Sequence, residues 1–499
     1  MLLLLTIHLG FSYFFSKYIN RLLCENCNVI LLDIDIVRAD YVSCNGDKKR
    51  ITPNLCKFFE NSLVFENNIS QSYWTFPSFF STITSLYIPQ HNMEQMYIHI
   101  LNPNIKTIGQ VLSENGYSTV FVNSYKYGFI ISVIKNGWDR GYQKTTDVKK
   151  PSEWKKIVEN ELNGKKSVFV HLFESGSLHF PYSVPEGTIL NCPVPAIEGF
   201  PITEKEESEF LANNLIEHYR EIFSPETIRK FPDLFRSPSL YKGEIMELFF
   251  SQRPPPVYTV NRVQWDISYE ALMSKVNLSD QRHIDFLRCL YETNLFLLDN
   301  QLEELFEYLD SKEIKNNTIV IFSSSHGEEL GEKGYFGHPE SVSKEVLDVP
   351  LMMRIPKVSG RKIQTPSQNI DIPPSILELI GLPVEVQFQG KSLTELIKEP
   401  NRDIGRFAIS HTSADPNQTS IQNEEWKLKV IKSGESADFE LYDLINDPDE
   451  TKDVHEDFPE VALSLNKILH LEVNQSIDYS PQIIDDDAKI DEKVRQKLM

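Results

Sequence analysis

Positive charge is in short supply in this chain: 50 Lys and Arg stand against 71 Asp and Glu, a formal net charge of −21 over 499 residues. A protein that grips phosphate backbones needs a basic surface, so nucleic acid is excluded as a partner. Long apolar runs are missing as well. Residues 2–15 are apolar but fall short of the roughly 20 residues that a membrane-spanning helix takes. No basic leader precedes them, no A-x-A-like site follows, and Lys17 and Arg21 sit on the wrong side for a signal segment. The stretch 1–27 therefore reads either as a truncated anchor, which would give membrane association, or as an amphipathic helix ahead of the first strand. Cysteine is sparse. Cys24 and Cys27 form a C-x-x-C without a second pair, which argues against a zinc site, and Cys44, Cys56, Cys192 and Cys289 are scattered with no short-spacing framework. The compartment is left open between extracytoplasmic, membrane-associated and cytoplasmic. There is no internal repeat.

What is present concentrates in three places. Thr318-Ile319-Val320-Ile321-Phe322 reads as a buried strand and runs into Ser323-Ser324-Ser325-His326-Gly327-Glu328-Glu329. Open α/β sheets place their sites at the carboxyl ends of strands, so His326 is expected to face a pocket. Asn28-Val29-Ile30-Leu31-Leu32-Asp33-Ile34-Asp35 reads as another central strand, one that ends in two acids. Side chains alternate along a strand, which puts Asp33 and Asp35 on one side, about 7 Å apart at about 3.3 Å per residue. Two like charges there call for a cation; the plain alternative is a pair of acids capping the next helix. The third place is Ser72-Tyr73-Trp74-Thr75-Phe76-Pro77-Ser78-Phe79, followed by Ile88-Pro89-Gln90-His91.

In this order and spacing the three segments resemble the sulfatase family of the alkaline-phosphatase-like superfamily. Its members read roughly N-V-x-L-x-x-x-D-x-x-R-x-D, then C-x-P-S-R-x-S-x-x-T-G-x-Y, then S-D-H-G-E-x-x-G. Shorter matches at Thr52-Pro53-Asn54-Leu55, Gly137-Trp138-Asp139, His179-Phe180-Pro181-Tyr182, Gly337-His338 and Glu440-Leu441-Tyr442 extend the resemblance over about residues 28–460. It implies an α/β fold with a mostly parallel central sheet flanked by helices and a small antiparallel C-terminal subdomain. The implied activity is that of a metal-dependent hydrolase or transferase acting on a sulfate or phosphate ester. Carried over residue by residue, Asp35, Thr75 and His326 would hold one divalent ion (calcium, or manganese or magnesium), and Thr75 would also be the nucleophile. His179 and His338 would hold the oxyanion. An ion held by oxygen and imidazole polarises ester oxygens and activates a hydroxyl that is otherwise a poor nucleophile, while imidazoles meet charge that develops on the transferred group. The alternative for each histidine is a structural role.

The sequence departs from the family three times. Ordinary sulfatases carry a Cys or Ser that is oxidised to formylglycine, whereas Thr75-Phe76-Pro77-Ser78-Phe79 lacks both the oxidisable residue and the Arg of that motif. A Thr here resembles phosphate-handling relatives such as lipoteichoic acid synthases and phosphoethanolamine transferases. Ser325 stands where the family has an Asp ligand. Losing even an outer partner costs about 10–100-fold in metal affinity, so Asp33, one pleat deeper than Asp35, is the candidate substitute ligand. Without that compensation the chain is either an enzyme of weak activity or one that uses a different metal, or a pseudoenzyme that binds an anionic glycan or lipid head group without turnover. The third departure is an insertion over 183–285, with Pro254-Pro255-Pro256, Trp265 and Tyr269, which reads as a lid or as surface elaboration.

The remaining organisation follows from length and pattern. A chain of 499 residues exceeds what one core supports, and 41% hydrophobic content is that of a globular protein. Residues 28–400 are expected to form the catalytic domain and 401–470 the small C-terminal subdomain. Residues 471–499 read as an acidic tail around Asp485-Asp486-Asp487.

Overall fold

A computed structural model describes residues 24–42, 44, 51–94, 99–125, 136–207, 209–210, 269–399, 405–412, 417–434, 436–473 and 482–483. Its centre is strand β1 (Asn28–Ile34), whose run Val29-Ile30-Leu31-Leu32 is buried on both faces. Such a run belongs inside a parallel sheet that is covered on both sides. The other strands are β2 (Leu63–Phe65), β3 (Ser118–Tyr125), β4 (Lys144–Val148), β5 (Val168–Ser175), β6 (Thr318–Ser323), β7 (Leu351–Arg354) and β8 (Arg361–Ile363). They lie in the order β8-β2-β7-β6-β1-β5-β3-β4. β1 is parallel to both neighbours, pairing Asp33 with Phe173 of β5 and with Ser323 of β6. Only β7 runs against its partners.

Helices cover both faces. Ile30 and Leu32 pack towards α1 (Pro53–Phe59), α4 (Trp154–Leu162) and the long α5 (Gln281–Asp310). Val29 and Leu31 pack towards α2 (Thr75–Thr84), α3 (Ile108–Glu114) and α6 (Ile372–Leu379). The α3 start is fixed by a capping box: Thr107 Oγ1 accepts from the Gln110 amide at 3.2 Å, and the Thr107 amide donates to Gln110 Oε1 at 3.1 Å.

A second, antiparallel sheet follows in the order β9 (Ala408–His411), β10 (Asn417–Gln422), β11 (Trp426–Ser433) and β12 (Ser436–Asp443). Helix α7 (Pro459–Val473) closes it with Ala462, Leu465 and Leu469. Beneath this sheet Lys427 Nζ meets Glu450 Oε1 at 2.6 Å and Lys429 Nζ meets Glu450 Oε2 at 3.1 Å, all three side chains being buried. The expected mostly parallel sheet, its flanking helices and the small C-terminal antiparallel sheet are all present.

The cysteines, which showed no framework in their spacing, are brought together in pairs: Cys24 with Cys27, Cys44 with Cys56 and Cys192 with Cys289. Partners distant in sequence meet only through the fold, so spacing alone could not reveal them. Of the apolar segment 1–27, residues 1–23 lie outside the described residues. Among the described residues no helix is long and apolar enough to cross a membrane. Residues 208 and 211–268 of the insertion, with its Pro254-Pro255-Pro256 and Trp265, and the tail's Asp485-Asp486-Asp487 also lie outside. Tyr269 is described; its ring stacks on Tyr335 at 4.9 Å and packs against Phe180 at 5.5 Å.

Candidate active site

The carboxyl ends of β1, β5 and β6 deliver Asp35, Ser175 and Ser325 to one point. Asp35 extends the β1 pairing by donating its amide to the Glu174 carbonyl at 2.8 Å, and it is almost fully buried. The next residue, Ile36, adopts φ +67°. A β-branched residue in the left-handed region is strained, and such strain persists where surrounding contacts enforce it. Here the Tyr291 hydroxyl donates to the Ile36 carbonyl at 2.8 Å, and the Val37 amide donates to Ser324 Oγ at 2.9 Å.

Three hydroxyl donors and two imidazoles surround the Asp35 carboxylate. Thr75, the first residue of α2, donates from Oγ1 to Oδ2 at 2.8 Å, and Ser175 donates to the same oxygen at 2.9 Å. Ser325 donates to Oδ1, which also faces His326 Nε2 at 3.2 Å. His179 Nε2 lies 3.6 Å from Oδ2. Burial would raise the Asp35 carboxyl, but His326 and His179 outweigh it and hold the group well below the usual carboxylate range. His326 is oriented by its other nitrogen, Nδ1, 2.8 Å from the Gly327 carbonyl. Gly327 is required at that turn, because a Cβ would lie 2.2 Å from the Glu345 carbonyl oxygen.

Thr75 Oγ1 is also 3.3 Å from His326 Nε2. The His338 ring stands edge-on to His326 at 4.8 Å and to His179 at 5.3 Å. Burial, together with these two imidazoles, pushes His338 well below its ordinary range, so it is neutral at physiological pH. The structure thus gathers Asp35, Thr75, Ser325, His326, His179 and His338 in one place.

Asp33 is placed differently. Its carboxylate pairs with His171 of β5, Oδ2 to Nε2 at 3.6 Å, and His171 Nδ1 meets the Tyr142 hydroxyl at 2.7 Å. Asp33 Oδ2 accepts no hydrogen bond from any described residue, and burial raises this carboxyl. Phe79, where the family motif has Arg, is fully buried and stacks on His171 at 5.6 Å. Arg38 and Asp40 are structural: Arg38 grips both Asp40 oxygens at 2.8 and 2.9 Å and donates to the Glu328 carbonyl at 3.0 Å.

Sequence reasoning missed Ser175 and Glu328. Ser175 ends β5 at the level of Asp35, and the strand-end rule that pointed to His326 applies to it equally. Glu328 is fully buried and accepts from the Tyr182 hydroxyl at 2.9 Å. Burial first, then the Asp35 charge, raises its carboxyl well above the ordinary range.

A divalent ion at this cluster is implied by the resemblance, and the donor set tests it. A hard cation such as calcium takes 6–8 oxygen ligands with carboxylates among them. This cluster supplies one carboxylate, already accepting from three hydroxyls, one imidazole at hydrogen-bond range and no second acid, since Asp33 faces His171. Among the described residues no three His, Cys, Asp or Glu side chains are grouped to hold an ion. The residues do not fit the ion.

Comparison with known proteins agrees with the fold. The Sulfatase family model matches residues 27–176 and 249–382, and the model for the C-terminal part of N-sulphoglucosamine sulphohydrolase matches 331–478. The chain is 28% identical to arylsulfatase K of Homo sapiens over 205 residues, 39% of this chain and 38% of that protein. It is 27% identical to the Rattus norvegicus protein of the same name over 206 residues, 39% of this chain and 36% of that one. The aligned part thus spans less than two-fifths of these relatives. Among solved structures, one in complex with its substrate D-glucosamine-2-N,6-O-disulfate superposes with a TM-score of 0.61 at 18% identity, covering 90% of this chain and 98% of the other. A 2-O GAG sulfatase gives 0.64 at 14%, covering 90% and 93%. The phosphonate monoester hydrolase of Agrobacterium radiobacter gives 0.58 at 17%, covering 89% and 95%.

Proposed function

The chain belongs to the sulfatase family, and from that premise we propose that its pocket accepts the sulfate or phosphate ester of an anionic glycan and transfers the sulfuryl or phosphoryl group to Thr75. The observation that carries this reading is the position of Thr75 Oγ1 at the start of α2, donating to Asp35 Oδ2 at 2.8 Å beside His326. Thr75 Oγ1 forms the new bond to sulfur or phosphorus, and its proton passes to Asp35 Oδ2. The bond from that centre to the ester oxygen breaks, and the leaving oxygen takes a proton from His179. His338, being neutral, serves as a hydrogen-bond donor to the oxyanion and not as the acid. Water then cleaves the threonine ester through the same groups in reverse, which returns the Thr75 hydroxyl. The sulfated sugar bound by one structural neighbour and the phosphonate hydrolase among the others support this class of ester.

Asp35 is held well below the usual carboxylate range, which makes it a weak proton acceptor. That same observation, with Ser325 in the ligand position, favours a second reading in which the pocket binds an anionic glycan or lipid head group without turnover. Parallel assays separate the two: hydrolysis of 4-nitrophenyl sulfate, phosphate and phosphonate esters, and calorimetric binding of glucosamine sulfates. Turnover that Thr75→Ala removes supports transfer. Binding with no turnover in the parent leaves the second reading, and neither binding nor turnover refutes both.

A further inference from the structure

We propose that a cage of hydroxyl and imidazole donors around Asp35 replaces the divalent ion in this chain, so that the pocket is assembled without metal. An ionised carboxylate has two oxygens with about four lone-pair sites. On Asp35, Oδ1 receives Ser325 and faces His326 Nε2, while Oδ2 receives Thr75 and Ser175 with His179 alongside. The sites that a cation would need are therefore taken by donors that the chain itself supplies. Those donors come from the ends of the two strands that flank β1 and from the first turn of α2, so the carboxylate ties together the elements that an ion would bridge. Ser175 is the member that shows the cage to be more than a vacated ligand position. Ser325 alone could be read as a lost ligand, but Ser175 adds a second strand-end hydroxyl on the opposite oxygen, beside the nucleophile. A buried charge is tolerated only where hydrogen bonds satisfy it, and Asp35 meets that condition from its own neighbours.

The ligand of this pocket rests on the reading given above, whereas the cage concerns the protein alone, and the experiment keeps them apart. The full chain is purified without added metal, its metal content is measured by mass spectrometry, and its melting temperature is followed in EDTA and with calcium, magnesium, manganese and zinc. Expected are a sub-stoichiometric metal content and a melting temperature that none of these additions moves. Ser325→Asp should become metal-responsive, with a melting temperature that climbs with ion concentration as native-state binding requires. Ser175→Ala, which only removes a donor, should lower the melting temperature of the parent by a few degrees. A stoichiometric ion that EDTA removes with a fall in melting temperature overturns the cage, whatever the variants do. Binding of glucosamine sulfate in EDTA supports it, and binding that appears only with added metal overturns it. Failure to bind that sugar under every condition counts against the ester reading alone and leaves the cage decided by metal content and melting temperature.

Discussion

The Ser325 hydroxyl donates to Asp35 Oδ1, the oxygen that also faces His326 Nε2. A residue that would have repelled Asp35 as an acid is instead one of its hydrogen-bond donors. This exchange of repulsion for donation sets what substitutions at the site should do.

Thr75→Ala should abolish turnover of 4-nitrophenyl sulfate and phosphate. The side chain is 7% exposed and its hydroxyl is bonded to Asp35, so the variant should also lose about 1–3 kcal/mol of stability. Thr75→Ser, which keeps the hydroxyl, should retain both turnover and stability. Hydrolysis by the Ala variant at the parental rate would remove Thr75 from the mechanism.

His179→Ala and His338→Ala should each slow the same reaction by about 10²-fold, the usual scale for a positioned acid or oxyanion donor. Folding should survive, as circular dichroism would show. A variant with full activity identifies a histidine that only lines the wall.

Glu450 sets an acid limit on stability. Burial would raise its carboxyl, but Lys427 and Lys429 lower it from an ordinary 4.5 to about 2. A depressed folded value stabilises fully above about 4.5, and that stabilisation is lost as the pH falls from there towards 2. Glu450→Gln should flatten the melting-temperature curve across that window. It should also cost about 3–5 kcal/mol at neutral pH, because Lys427 stays buried without its partner. Parallel curves for parent and variant would show that the pair does not report on folding.

Gly327→Ala puts a methyl group against the Glu345 carbonyl. The turn must shift, at a cost of about 1–3 kcal/mol, and His326 moves with it. Turnover should fall further than the melting temperature alone accounts for, and equal proportional losses would show that His326 stays in place.

Strand ends and motif order made much of this legible. The apolar run of β1 and the Ser-rich end of β6 announced a parallel sheet, and the fold brings Asp35, Thr75, Ser325, His326, His179 and His338 together from five separate stretches. Alternation correctly put Asp33 and Asp35 on one side, yet it carries no information about partners, and Asp33 faces His171 on the neighbouring strand. Ser175 has no periodic signature of its own, and only its place at the end of β5 could have marked it. The Cys192–Cys289 pair was hidden because contact across 97 positions is a property of the folded chain.

The Cys192–Cys289 bond makes the inserted stretch a covalent loop anchored on α5, with 97 positions between its ends. In a chain-entropy account, closing a loop of about that length restricts the unfolded ensemble by on the order of 4–5 kcal/mol. A protease that cuts once inside this loop leaves two pieces still joined, one band on a non-reducing gel and two after reduction. A nick there cannot release the halves of the pocket from each other, so the two halves of the site stay joined after the cut.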